Sequence, residues 1–229
     1  MKKILYMAAT ALLCSSCFHV NTSWTGGSKN AIKGEGPVIS KSFDLKDFDR
    51  IVINGRADGV FTQSDTYEVT LRAQENVFDY VDYRVEGSTL ILELKDKRTV
   101  RSTDFEVTLK APALKGIEIN GAADFDIPVG LKSDDDLRIE VNGAGDLTFN
   151  AVRCNNMTIP ANGAADVDLT DINVQRLKVD VNGAGDVIVE GEAADADLSV
   201  NGAGDIDATG LKVAGKVSKH AAGLAKIKL

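Results

Sequence analysis

Aromatic residues are scarce in this chain, 6% of 229 positions, and none follows Phe149. Ring platforms of the kind that hold sugars in β-helical polysaccharide enzymes are therefore not expected over the last third of the molecule. Cysteine is scarcer: Cys14 and Cys17 lie near the N-terminus, leaving Cys154 alone in the remainder. That count excludes a disulfide framework and a Cys-based metal site, and the apolar neighbours Val152 and Met157 suit a buried thiol. The only histidines are His19 and His220, far apart and each outside any Ser-His-Asp or Cys-His pattern. A Gly-rich phosphate loop is missing as well. Past the N-terminus no apolar run approaches the ~20 residues of a membrane-spanning helix. No catalysis, cofactor or metal is expected.

Basic residues are in deficit, 26 against 34 acidic, for a net charge of −8. An acidic chain is a poor partner for nucleic acid or anionic lipid. The N-terminus departs from this balance. Lys2 and Lys3 precede an apolar stretch, Ile4 to Leu13, and then Cys14-Ser-Ser-Cys17, which reads as a bacterial secretory signal. Small residues directly before a cysteine predict a lipoprotein signal over 1–17, with Cys17 as the lipid attachment. Cys14 stands where Leu is usual, and ordinary cleavage nearby would instead leave a soluble secreted protein. Removing Lys2 and Lys3 takes the charge from −8 to −10. Residues 18–36 are polar and aperiodic, as a flexible tether would be. The domain would then sit in the cell envelope, at the outer membrane, facing periplasm or cell surface; the residues after Cys17 lack an acidic run that would signal surface export.

Residues 37–116 read as an N-terminal β portion of short alternating strands such as Ile51 to Ile53 and Phe105 to Leu109. From residue 117 to 229 the chain repeats itself. The motif Asn-Gly-Ala-(Gly/Ala)-Asp occurs at Asn120-Gly121 to Asp124, Asn142-Gly143 to Asp146, Asn162-Gly163 to Asp166, Asn182-Gly183 to Asp186 and Asn201-Gly202 to Asp205. Successive asparagines are 22, 20, 20 and 19 residues apart. A decayed copy, His220 to Leu224, follows as a C-terminal cap rich in lysine (Lys216, Lys219, Lys226, Lys228). An earlier one, Asn54-Gly-Arg-Ala-Asp58, precedes the first full copy by 66 residues, as if three windings lay between them.

Apolar residues alternate on both sides of each motif, as in Ile139, Val141, Leu147 and Phe149, which marks strands with one buried face. Asn-Gly turns the chain sharply, and a second apolar cluster in every interval argues against simple hairpins. Three short strands in about twenty residues make one coil of a β-helix, and no coil can bury its own face alone. The expected fold is all-β, a β-solenoid of short parallel strands with about twenty residues per coil. Stacking would align the asparagines in an amide ladder and pack the central alanines, Ala122, Ala144, Ala164, Ala184 and Ala203, into a tight corner. The aspartates would form a column in which neighbours repel by roughly 1 kcal/mol in water, offset by Asx-type bonds within each turn. Calcium is not required, because one carboxylate corner per coil differs from the nine-residue calcium β-roll. Arg138, Arg153 and Arg176 fall late in three successive coils and could line one face.

The segments Ile51-Val-Ile-Asn-Gly, Ile117-Glu-Ile-Asn-Gly-Ala-Ala-Asp and the later Val-Asn-Gly-Ala-Gly-Asp copies resemble the GIN domain, described as the head of auto-transporter adhesins and common in exported bacterial lipoproteins. The resemblance spans roughly residues 48–229. It implies a β-helix-like fold and an adhesin role, and carries no catalytic residues. The function expected is a non-catalytic, lipid-anchored module that presents a rigid surface to a protein or glycan ligand, with homo-oligomerisation open. The alternative is a calcium-dependent glycan-binding or polysaccharide-processing β-helix.

Overall fold

The computed structural model describes residues 31–101 and 104–229. The expected signal over 1–17, with Cys17, and most of the 18–36 stretch lie outside the described residues. Within them the chain winds as a parallel β-solenoid whose coils present two long faces and a short third one. Face A carries the strand that ends in each Asn-Gly pair, face B the strand that follows it, and face C the segment returning to the next coil.

On face A, Gly116–Ala122 lies between Arg50–Arg56 and the first part of Leu137–Asn150. The next coils add Val152–Gly183, Val187–Gly202 and Val217–Gly223 in parallel register. Face B stacks Phe125–Ile127 between Asp58–Gln63 and residues 147–149, and continues to Lys226–Lys228. Face C begins where Leu131 pairs with Val152, and later pairs Ile172 with Gly191 and Gly191 with Leu211. The alternation in the sequence has its cause here. Inward side chains such as Ile119, Val141, Leu147 and Phe149 are at most 1–2% exposed, and one apolar core runs the length of the stack.

One face B column of the core passes from Ile127 to Phe149, Leu169 and Val189, a single ring between aliphatic side chains packed at interior density.

Two sequence expectations are corrected by this topology. No windings separate Asn54 from Asn120: they are direct register partners in adjacent coils. The intervening residues instead build the coil beneath. Thr89–Leu94 pairs in parallel with Arg50–Arg56 on its other side, and Phe105–Ala111 does the same with Asp58–Gln63. Spatial order and chain order are therefore exchanged at the N-terminal end. Antiparallel strands, Val81–Glu86 on face A and Glu68–Gln74 with Val38–Ser42 on face B, close that end, covering an edge that would otherwise template further pairing. The decayed terminal copy is also shifted. Asn201 pairs with Ala222 and Gly202 with Gly223, so Ala222, not His220, takes the asparagine position.

The corner from face B to face C repeats a left-handed residue. Gly130 (φ 97°), Ala151 (φ 54°) and Asp171 (φ 52°) occupy it in consecutive coils. A Cβ in that region costs roughly 1–2 kcal/mol, which glycine avoids. Ala151→Gly should consequently stabilise the protein by about 0.5–1 kcal/mol, after the added entropy of the unfolded chain is discounted. A denaturant midpoint unchanged or lowered would contradict the strain.

Candidate functional surface

Each repeat occupies the corner between faces A and B. The inward Val141 fixes the phase of alternation so that the following Asn142 points outward, half-buried. Stacking then places each amide over the one before. Nδ2 of Asn182 donates to Oδ1 of Asn162 at 3.1 Å, Asn162 to Asn142 at 2.9 Å, Asn142 to Asn120 at 3.0 Å, and Asn120 to Asn54 at 3.1 Å. Asn201 stands in register beyond Asn182 at the exposed end. Every rung donates in one direction, so the amide dipoles add along the column.

The column ends on a carboxylate. Asn54 Nδ2 donates to Glu93 Oε2 at 2.9 Å, and Arg84 Nη1 bonds Glu93 Oε1 at 2.6 Å. The Arg84 guanidinium, then the Asn54 amide, hold the Glu93 carboxyl below the usual carboxylate range. A depressed carboxyl contributes stability that is present above its unfolded value near 4.5 and is lost as pH falls through the folded value. Glu93→Gln should therefore cost about 1–2 kcal/mol at pH 7. The gap to the parent should close on titration below about pH 4.5. A gap independent of pH would show that Glu93 acts through packing alone.

Gly121, Gly143, Gly163, Gly183 and Gly202 follow the asparagines, and here the coils approach closely. A Cβ at any of them would lie about 2 Å from the carbonyl oxygen of the preceding coil's glycine. The next position corrects another expectation. Ala122, Ala144, Ala164, Ala184 and Ala203 are exposed, whereas the buried small position is one later, at Ala123, Ala165, Gly185 and Gly204. The glycine turn shifts the phase of alternation by one residue, which the spacing of motifs cannot reveal.

The aspartates form the outer edge of face B. Asp124 Oδ1 accepts from the Asp146 N–H at 3.0 Å, Asp166 Oδ1 from Asp186 at 2.8 Å, and Asp186 Oδ1 from Asp205 at 2.8 Å. Asp205 Oδ1 accepts from the Lys226 N–H at 2.8 Å. These bonds join successive coils, in place of the Asx-type bonds within a turn that the sequence suggests. Among the described residues no three His, Cys, Asp or Glu side chains converge as a metal site would require.

The arginines are likewise dispersed. Arg138 lies on face A and pairs with Glu140 at 2.7 Å, while Arg153 on face C pairs with Asp171 at 2.9 Å. Arg176 reaches Asn156 Oδ1 at 3.4 Å. They line no common face. Cys154 is buried, its thiol pushed up to about 11 by burial and then by Asp136, so little nucleophilic thiolate forms near neutrality.

What the arrangement offers chemically is a stiff column with polar exterior faces. Residues 47–229 match the family described as "Putative auto-transporter adhesin, head GIN domain". The fold is also that of several crystal structures. A "putative adhesin" from Parabacteroides distasonis ATCC 8503 shares 25% identity at TM-score 0.77, over 86% of this chain and 84% of that one. A "putative adhesin" from Bacteroides fragilis NCTC 9343 shares 22% at TM-score 0.72, over 86% and 99%. A "Putative lipid binding protein" from P. distasonis shares 21% at TM-score 0.62, over 87% and 99%. No curated protein matches the sequence.

Proposed function

The chain belongs to the GIN-domain family, and on that footing we propose that it is a non-catalytic adhesin module of the bacterial cell envelope, carried on a lipid at Cys17. The observation that carries the reading is the continuous coil-to-coil ladder. Its asparagines from Asn54 to Asn182, its glycines and most of its aspartates are engaged in stacking, so the repeats build a rigid post and leave the outer side chains to meet a partner. A polar tether between Cys17 and the first described strand would set the post away from the membrane. Thiol acylation and a diacyl anchor would hold it there, since one chain alone binds only marginally.

Two measurements test the two parts. Labelled palmitate should enter the wild-type chain in cells and not Cys17→Ala; equal labelling would remove the anchor. Protease added to intact cells should remove the domain, and full resistance would place it inside the envelope and end the adhesin reading.

A further inference from the structure

Below the last rung of the asparagine ladder the corner of the solenoid stands open. Thr89–Leu94 lies under Arg50–Arg56 but leaves the stack through the 3-10 turn Lys95–Lys97 in place of an Asn-Gly turn. A cleft of about 380 Å³ results, within the ~300–1,000 Å³ of small-ligand sites. Asn54, Gly55, Glu93, Lys97, Arg98 and Asn120 line it. A smaller recess adjoins through the shared Asn54, Glu93 and Arg98, and adds Arg56 and Tyr83.

Asn54, Asn120 and Glu93 belong to the ladder, whereas the basic side chains here are not spent on it. The side chains of Arg56 and Lys97 are exposed and form no hydrogen bond or ion pair among the described residues. Arg98 is held over the Tyr80 ring at 4.7 Å from its centroid, with Asp96 no nearer than 3.8 Å, which orients the guanidinium without occupying its donors. Two cations, Lys97 and Arg98, thus line the cleft, and Arg56 lines the recess beside it, in a chain where acidic residues outnumber basic ones 34 to 26. Glu93 sets the limit on what they accept. Its carboxylate already serves Arg84 and Asn54, and its remaining lone pairs can take hydroxyl donors while repelling a dianion.

We propose that this cleft binds the carboxylate-bearing sugar of an acidic saccharide, a uronic acid, with Arg98 and Lys97 on the carboxylate and Glu93 on a ring hydroxyl. The proposal rests on the adhesin reading only for the choice of an extracellular polymer. Binding is read on purified protein and surface exposure on cells, so either can fail alone.

The test is calorimetric titration of the full-length protein, in mild detergent, with galacturonate, galactose and inorganic phosphate. Galacturonate should bind at least about tenfold more tightly than the other two. Arg98→Ala and Lys97→Ala should each weaken it by about tenfold, and Lys97→Ala should do so without lowering the melting temperature, because its side chain is exposed and makes no hydrogen bond or close ion pair among the described residues. No saturation by about 10 mM galacturonate, or phosphate binding as tightly, would overturn the assignment. So would parent-like binding by both variants.

Discussion

Gly163→Ala should cost at least about 3 kcal/mol, an outsized effect for one methyl group at a half-open turn. Two penalties combine. The residue sits at φ 139°, where a side chain costs on the order of 1–3 kcal/mol. Its Cβ would also meet the Gly143 carbonyl oxygen at 2.0 Å, and that atom is backbone held on both sides by ladder bonds. Relief requires the coils to separate, breaking the Asn162–Asn142 rung as well. Ala164→Ser, one residue further along the same turn, is the matched control. Ala164 is exposed, so this change should stay within about 0.5 kcal/mol. Urea denaturation followed by circular dichroism separates the two, and near-equal midpoints would refute close stacking at the glycine column.

Phe149→Ala should cost about 3–5 kcal/mol, the range for emptying a phenylalanine site in a closed core. Phe149 is fully buried, and its register partners are Ile127 below and Leu169 above. Neither can move into the void, because each is fixed by its own strand at the sheet spacing. Phe149→Leu keeps most of the volume and should cost no more than about 1.5 kcal/mol. If alanine and leucine proved equally mild, the ring would not be filling a closed site.

Much of this architecture is legible in the residues. Five copies of one turn at near-constant spacing, each flanked by alternating valine, leucine and isoleucine, define a stacked parallel coil, and the amide ladder follows from stacking identical asparagines. The misreadings share one physical cause. Spacing fixes how far apart equivalent residues lie but not the phase with which the chain leaves a bend. Thus the alanines of the motif face outward, while the position after them is buried. The 66 residues between Asn54 and Asn120 show the same limit at larger scale, since a gap near three periods is satisfied equally by three coils above or by one coil tucked below. The cleft was not visible at all. Lys97 and Arg98 belong to no repeat, and they reach Asn54 and Glu93 only because the lowest coil lacks its Asn-Gly turn.

The exchanged order of the first coils also sets a direction of assembly. Once residues 89–111 have docked beneath 50–63, that side of the stack is closed by antiparallel strands, and one growing edge remains. Each later coil then closes a loop of only 19–22 residues onto it. Joining Asn120 to Asn54 spans 66 residues, a closure about 1 kcal/mol dearer in entropy than a twenty-residue one if the span were unstructured. Folding should therefore begin within 50–111 and zip toward Leu229, which is also the order in which a chain exported N-terminus first emerges. Pulse-labelled amide exchange during refolding should find protection first in Ile51, Ile53, Leu90 and Leu92, and protection beginning in Val187–Gly202 would reverse that direction.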